Sequence, residues 1–397
     1  MSSQGHCQAV ILFELVGCNN RKLDHFLPSD YSISDDVEVL FLNSIPHSTA
    51  DFPIMFSFVL KRKYAFCMNF KLKGIVYSYV ILSDCLAPTL FNAFFGELYK
   101  KMNKDSNLRE LLEEIWSLIS HWTIDLNNEM DLNFFSGNLH LETSEILQSF
   151  KNYDPTDYFE SESVFSDIWH CLLTQKPILV TADDAETLSC AVYSLFSMIS
   201  PFRYEEPFLL TFTQYDVSLF DLSPYFVIGL LSNINIGEFG FFFRLRASKQ
   251  TKQPYSSLMD SLYKRSLKLQ KVVSYLMDRV LLINPYNDVL EGPFIDDRLE
   301  VELKNHIKTG ILSPAELRVF EKTNTCRVWR MLNLRRNSFR NALLSFPPHE
   351  IMEGKSQNHL REVLQFIELE MKNNPNDRHL MSVMKIHRQT IKNRIED

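Results

Sequence analysis

The chain has 397 residues, with 41 Lys and Arg against 49 Asp and Glu, which gives a formal net charge of −8. This acidic balance excludes a protein whose main surface binds nucleic acid, because that function needs a dominant basic face. A hydrophobic share of 45% with only 11 Gly and 16 Pro indicates folded structure, in two or three domains at this length.

Cysteine usage and the lack of long apolar runs favour a cytoplasmic protein. The seven cysteines are odd in number, scattered and never spaced as CxxC, which favours reduced thiols over disulfides or zinc. The apolar run at residues 8–16 is short and has no basic flank, unlike a signal peptide. No run approaches the ~18–20 apolar residues of a membrane span. We therefore expect no transmembrane segment.

Residues 8 to about 83 are predicted to form a sheet built from hairpins. Short apolar or alternating runs split by polar loops indicate the strands: AVILFELVG, EVLFLNS, MFSFVLKRK, AFCMNFKL and GIVYSYVILS. Two helices are predicted next, at 88–102 and 108–122, because apolar residues recur there at three- and four-residue spacing. The first helix is predicted to bury one apolar face: Phe91, Phe94, Phe95 and Leu98. A sheet followed by helices makes one α/β layer.

The second half of the chain has a different order of elements. After a polar linker, helices alternate with the short apolar strands PILVTA, FLLTFT and GFFFRLRA, a pattern typical of a buried, mostly parallel sheet. The chain beyond residue 253 is predicted to be almost wholly helical. Its helices are expected near 255–284, 295–307, 313–322, 326–345, 356–373 and 377–396.

The turn from strand to helix at residues 181–187 is where many proteins bind a nucleotide phosphate. This turn has no glycine and no lysine, and its carboxylates Asp183, Asp184 and Glu186 would repel phosphate. We predict a helix capped by its own side chains instead. The motifs GxxxxGK[ST], GxGxxG, HExxH and GxSxG are all missing.

Dispersed histidines argue against a metal centre. His121 and His140 would have to meet His170 or Cys171 in the fold, and isolated histidines beside aromatic residues are more often core or boundary residues. The sequence therefore predicts no catalytic residue, no cofactor and no metal site.

A cluster of arginines lies on the predicted helix at 326–345: Arg327, Arg330, Arg335, Arg336 and Arg340. It is consistent with a surface for acidic lipid or for an acidic partner. The favoured interpretation is a solvated helix face whose arginine stems cover apolar neighbours.

The order of segments between residues 177 and 231 resembles the core of DENN-domain proteins. In that family a strand with a P-I/L-V-V pattern leads into a helix, an I-S-P-L-x-Y turn, a second strand and a P-x-x-I-x-G element. The matching residues are Pro177, Leu179, Val180, Ile199, Ser200, Pro201, Tyr204, Pro224, Ile228 and Gly229. The start of the chain resembles the longin-like module of the same proteins. The helical part resembles the tail of the group called DENN domain-containing protein 6.

The resemblance implies an α/β fold with a defined division. An N-terminal longin-like α/β module would occupy 1–125, a linker 126–160, and the core DENN module with a mostly parallel sheet 161–253. The helical downstream DENN region would occupy 254–397.

The function implied by the resemblance is guanine-nucleotide exchange on a Rab-family small GTPase in membrane traffic. Such a protein would be cytoplasmic, or peripheral on endosomal or secretory membranes. It would need no catalytic chemistry of its own, because it acts by binding the switch regions of the GTPase and promoting GDP release.

Two alternatives remain within the same resemblance. One is a non-catalytic DENN scaffold. The other is a subunit like folliculin, whose relatives stimulate GTP hydrolysis with an arginine in a D-x-L-A-R context. The equivalent stretch in this chain runs from Asp84 to Pro88 and ends in proline, which cannot stabilise developing charge.

Partner-binding residues are predicted on two segments. The exposed face of the first longin-like helix offers Asn92 and Glu97, and the corner after the second predicted helix of the core offers a further set: Ser200, Pro201, Arg203 and Tyr204.

Overall fold

A computed structural model shows an α/β protein with an N-terminal antiparallel sheet, then a parallel four-stranded sheet with helices, and a helical C-terminal part. It describes residues 4–396 apart from 17–19, 30–52, 61–62, 103–105, 126–129, 142–149, 151–152, 161, 213–224, 237–239, 251–256, 284–310, 346 and 353–356. The predicted strand EVLFLNS, the predicted helix at 295–307 and Pro224 lie outside the described residues. The chain divides into two compact units, unit 1 (residues 1–326) and unit 2 (residues 327–397).

Unit 1 begins with an antiparallel sheet. Its five main strands are β1 (Gln4–Val16), β2 (Asn20–Leu27), β3 (Ile54–Leu60), β4 (Lys63–Leu72) and β5 (Ile75–Ser83). They are arranged in the order β2-β1-β5-β4-β3, and the short strand β6 (Thr123–Asp125) pairs with the start of β1. All these pairings are antiparallel, which confirms the prediction of a sheet built from hairpins.

Two helices pack on this sheet, α1 (Pro88–Lys101) and α2 (Leu108–Ile119). Proline at the first helical position and Lys100 with Lys101 in the last turn suit the two ends of α1. Phe91 stacks on Phe66 of β4 with ring centroids 4.1 Å apart. The predicted buried face of α1 is confirmed, since Phe91, Phe94, Phe95 and Leu98 are all fully buried. A hairpin of β7 (Met130–Phe134) and β8 (Gly137–Leu141) follows.

A second sheet of four strands follows, and it is entirely parallel. After helix α3 (Phe165–Leu173), the chain forms β9 (Ile178–Ala182), α4 (Ala185–Ser197), β10 (Phe208–Thr211), β11 (Val227–Leu231) and β12 (Phe243–Arg246). The strand order is β10-β11-β9-β12. The near-continuous apolar runs of β9 and β11 fit this position, because strands of parallel sheets are commonly covered on both faces.

Gly229 in β11 allows α4 to approach the parallel sheet closely. A Cβ atom at this position would lie 2.7 Å from Leu210 Cδ1 and 2.9 Å from Val192 Cγ2. Both distances are below ordinary van der Waals contact, so the position requires a residue without a side chain.

Helices form the remainder of the described chain. They are α5 (Ser257–Ile283), α6 (Pro314–Glu321), α7 (Asn324–Ser345), α8 (Pro348–Met352), α9 (Gln357–Asn373) and α10 (Arg378–Glu396). Trp169 of α3 donates a hydrogen bond to Ser266 of α5 over 2.9 Å, and Arg265 of α5 lies over the indole ring. None of the described helices is long and apolar enough to span a membrane.

Unit 2 is a small helical assembly with its own core. The core comprises Leu343, Ile351, Leu360, Val363, Ile367, Leu380, Met384 and Ile391. The buried imidazole of His387 lies with Nε2 2.7 Å from the carbonyl oxygen of Leu343. Arg340 lies between Glu370 and Asp377, with N···O distances of 3.7 Å to each carboxylate.

Candidate partner-binding site

The turn between β9 and α4 is closed by its own side chains. Asp184 caps α4, because its carboxylate accepts hydrogen bonds from the backbone N–H of Thr187 at 2.8 Å and from its hydroxyl at 2.7 Å. Asp183 points elsewhere and pairs with Arg246 at 3.2 Å. The predicted self-capped helix is therefore confirmed, and the start of α4 presents carboxylates where a phosphate site would need positive charge.

The corner that follows α4 is fixed on the core by two aromatic side chains. Tyr204 is buried and stacks on Phe196 of α4 with ring centroids 4.2 Å apart. Phe202 is also buried and packs edge-on against Phe320 of α6 at 5.2 Å. Ser200, like its neighbour Pro201, is half-buried, and the peptide bond between them is cis. Of the four residues predicted here, Tyr204 is thus a core residue.

A buried carboxylate anchors the same corner to the start of α7. Glu206 is only 3% exposed, and its carboxylate accepts hydrogen bonds from Gln175 Nε2 at 2.7 Å and from the backbone N–H of Thr325 at 2.8 Å. The hydroxyl of Thr325 in turn accepts the backbone N–H of Glu205 at 3.1 Å. The side-chain amide of Asn324 lies 3.4 Å from the same Glu206 carboxylate. Glu206 therefore accepts from three donors, and the Thr325 hydroxyl holds the neighbouring Glu205.

Arg203, the charged member of the predicted set, forms an ion pair beside this anchor. Its Nε atom lies 2.8 Å from Glu205 Oε1, and both side chains are mostly buried. Burial raises the pKa of Glu205, and the Arg203 guanidinium partly offsets that rise. The guanidinium thus has a fixed position, and the pair presents a small, rigid charged group.

Two segments of the first sheet approach this pair. Burial raises the pKa of Tyr64, at the start of β4, to about 12, and the charges of Glu205 and Arg203 act on its hydroxyl in opposite directions. Cys85, in the loop between β5 and α1, acts on the same hydroxyl. Tyr64 also stacks on Phe208 at the start of β10, with ring centroids 6.1 Å apart, so the start of β4 lies beside the corner.

The predicted contact residues of α1 are bonded within the chain. Asn92 donates a hydrogen bond to the Tyr153 hydroxyl over 2.9 Å, and Glu97 accepts one from the Ser136 hydroxyl over 2.7 Å. Both side chains are half-exposed. They join α1 to the β7–β8 hairpin and to the segment before α3.

A line of aromatic rings connects α1 with the corner. Tyr153, bonded to Asn92, lies edge-on to Tyr193 of α4 at 5.6 Å. Tyr193 neighbours Phe196 at 6.2 Å, and Phe196 carries the stacked Tyr204. The structure therefore places the two predicted contact segments on one continuous buried scaffold, with Asn92 at one end and the corner at the other.

The described side chains of this region offer polar and charged groups on a rigid support. Among the described residues, no group of three His, Cys, Asp or Glu side chains could hold a metal ion. The corner instead presents a polar turn and a paired arginine on a rigid support, which suits recognition by shape and charge.

Three important residues of this region were not identified from the sequence. Glu206 and Tyr153 bond partners that are 31 to 119 positions away, and the charges that act on Tyr64 belong to the corner residues Arg203 and Glu205. Nothing local in the sequence marks them, although two adjacent glutamates before a strand are an unusual choice for a residue pair that becomes buried.

The chain matches no protein-family model, and no curated protein matches it.

Proposed function

We propose that this protein is a guanine-nucleotide exchange factor for a Rab-family small GTPase, with the DENN architecture of a longin-like module and a core module. The observation that carries the proposal is the succession β9, α4, corner, β10 and β11. These elements follow one another in the order that the resemblance to DENN-domain proteins requires, and their strands pair in parallel.

The antiparallel sheet adds support to the proposal. This sheet is followed by two helices, and it is joined to the parallel sheet through β3 and α4. A longin-like module followed by a DENN core requires this arrangement. Phe212, just after β10, packs against Phe56 of β3 at 5.4 Å. The two sheets therefore share one core, and a partner that lies across their junction would meet a rigid surface.

Exchange needs preferential binding to one state of the GTPase. The protein must bind the nucleotide-free GTPase more tightly than the GDP-bound form, and reciprocity then weakens GDP binding by the same factor. Accelerating release about ten-thousandfold requires about 5.5 kcal/mol, which a protein interface of roughly 2,000 Å² can supply. The partly exposed corner around Arg203 is the part of the junction that we assign to this contact.

The loop between β5 and α1 favours exchange over stimulation of GTP hydrolysis. Leu86 and Ala87 are buried, and Pro88 is the first residue of α1. Position 88 is thus a buried helix start, and no side chain there extends towards a partner. A hydrolysis-stimulating arginine at the position used by folliculin-like proteins has no equivalent here.

A non-catalytic scaffold is the second candidate function. It is favoured by the intramolecular bonds of Asn92, Glu97 and Arg203, because a partner would have to replace these bonds to use the same atoms. The scaffold would co-purify with a GTP-loaded Rab, whereas the exchange factor would co-purify with a nucleotide-free one.

The test of the proposed site uses two matched arginine variants in a GDP-release assay. Arg203→Gln removes the corner guanidinium, and Arg109→Gln removes an arginine that is also paired with a carboxylate, Asp24, but lies on α2. We expect at least fivefold slower release with the first variant and unchanged release with the second. Equal rates for the two variants would remove the corner from the site, and thermal melting of each variant checks that it is folded.

A further inference from the structure

Unit 2 differs in charge from the rest of the chain. Residues 327–397 carry 13 Lys and Arg against 8 Asp and Glu, a net charge of +5, whereas the chain as a whole has −8. Residues 1–326 therefore carry −13. Charge asymmetry of this size within one chain is typical of a region that meets an anionic surface.

The described carboxylates of unit 2 are mostly engaged inside it. Glu370 and Asp377 both face Arg340. Glu368 faces two cations at once, Arg388 at 3.0 Å and Lys392 at 3.4 Å, so that this group keeps a net positive charge. By the same counting the group around Arg340 keeps a net negative charge, so the two groups cancel and the excess of +5 lies on the other side chains of unit 2.

The predicted arginine cluster of α7 is not where this charge is exposed. Arg330 is only 4% exposed, and Arg340 faces Glu370 and Asp377. Arg327 is exposed, and the side chains of Arg335 and Arg336 lie outside the described part of the chain.

Helix α10 presents the cations instead. Arg378, Lys385 and Lys392 recur every seven residues, which places them on one face of the helix. Arg378 and Lys385 are exposed, and within the described residues neither has a carboxylate partner. Among the α10 residues whose side chains the structure describes, the exposed ones include no acidic residue: Arg378, His379, Ser382, Lys385, Ile386, Gln389, Asn393 and Arg394.

An aliphatic side chain stands beside this row of cations. Ile386 is 57% exposed, although an isoleucine on a helix with its own buried core gains nothing by facing water. The combination of lysine and arginine with an exposed aliphatic residue on the outer face of one helix is that of helices which lie in the membrane interface. The exposed cations Arg378 and Lys385 lie about two helical turns apart, and cations spaced in this way fit a planar anionic surface better than a single acidic side chain.

We propose that the outer face of α10, which carries Arg378, Lys385 and Ile386, binds the surface of a membrane that contains anionic lipid. Lysine and arginine would contact the lipid phosphates and carboxylates, and Ile386 would enter the boundary between head groups and acyl chains. This inference does not rest on exchange activity, and it concerns a different unit from the corner around Arg203.

The test is sedimentation of the full chain with vesicles of phosphatidylcholine alone or with about 30% phosphatidylserine. We expect binding only to the anionic vesicles, and a decrease as salt rises. Lys385→Gln should weaken binding about fivefold, the factor expected for one lysine near an anionic surface. Ile386→Ser should also weaken it.

The matched control is Lys271→Gln, which removes one exposed lysine from α5 in unit 1. It should leave vesicle binding unchanged. Equal binding to neutral and anionic vesicles, or equal losses in the two lysine variants, would overturn the proposal. Retention on immobilised polyglutamate without vesicle binding would also overturn it, and would assign the face to an acidic protein.

Discussion

Ser189 on α4 caps the edge strand of the antiparallel sheet at Ser57. The backbone N–H of Ser57 donates to Ser189 Oγ at 3.2 Å, and the Ser57 carbonyl oxygen lies 3.2 Å from the same hydroxyl oxygen. The Ser57 hydroxyl also bonds that of Tyr193. An edge strand exposes backbone groups that can pair with other chains, and α4 covers those of β3 here.

Replacing Ser189 with alanine should destabilise the protein. Both residues are 2% exposed, so the change leaves the buried backbone N–H of Ser57 without its acceptor. We expect the free energy of unfolding to fall by about 1–3 kcal/mol, measured by urea denaturation. Ser117→Ala is the control, because Ser117 is exposed on α2, and it should change the value by no more than about 0.5 kcal/mol. Equal effects would contradict the capping role.

Glycine substitutions in β11 and α1 should have opposite signs. Gly229→Ala places a methyl group against Leu210 and Val192, and we expect a loss of about 1–3 kcal/mol in the free energy of unfolding. Gly96→Ala meets nothing within 4 Å in the middle of α1. It should raise stability by about 0.5–1 kcal/mol, because glycine loses more chain entropy on folding. A stabilising Gly229→Ala would show that the sheet and α4 are not closely packed.

His170 should make stability depend on pH. It is flanked by Arg265 of α5 and Glu316 of α6, with Lys176 before β9 and Asp167 of α3 nearby. Burial lowers its pKa below the ordinary 6.5; Glu316 opposes the shift and Arg265 adds to it. Arg265 can only donate, so Nε2 of the neutral ring accepts its hydrogen bond.

The sign follows from proton binding. Below about pH 6.5 the imidazole binds a proton in the unfolded chain but stays neutral in the folded chain. The free energy of unfolding is therefore highest above that pH and decreases as the pH falls. His170→Gln should reduce the slope of the melting temperature against pH between about pH 5 and 7. His121 is exposed, and His121→Gln should leave the slope unchanged. A slope in His170→Gln equal to that of the parent protein would refute this assignment.

Glu206 should be essential to the corner. Glu206→Ala removes the acceptor of the Gln175 amide and of the Thr325 N–H, and it takes a negative charge from the start of α7. We expect a loss of about 2–3 kcal/mol in urea denaturation, with a smaller loss for Glu206→Gln. An alanine variant as stable as the parent would mean that these bonds do not hold the corner.

Helices were predictable from the sequence because their signals are local. Predicted bounds of 88–102 and 356–373 compare with Pro88–Lys101 and Gln357–Asn373 in the structure. The second helix was predicted to reach 122 but ends at Ile119, where the Ser120 N–H closes the last turn on the Trp116 carbonyl. The short helix α8 was missed, because its two leading prolines indicated a break, yet the second occupies the first helical position.

Strands without a clear pattern were harder to predict. β2 has the sequence NRKLDHFL, whose charged residues suit a sheet edge but hide the alternation. β11 is a short apolar run with a central glycine, which periodicity alone cannot distinguish from a helix.

The contacts that shape the candidate site depend on the whole fold. Ser57 and Ser189 are 132 positions apart, and Glu206 and Thr325 are 119 apart. No local pattern specifies such pairs, since each partner has an ordinary role in its own segment. The turn chemistry of the corner was visible in the sequence, but the burial of Tyr204 and the anchor at Glu206 were not.

The most direct measurement of the central claim is GDP release from a panel of purified Rab GTPases loaded with fluorescent GDP, in excess GTP. We predict that at least one Rab releases GDP faster as the concentration of this protein rises, with saturation in the micromolar range, and that Arg203→Gln slows the release while Arg109→Gln does not. Unchanged release from every Rab at micromolar protein would contradict the proposed function.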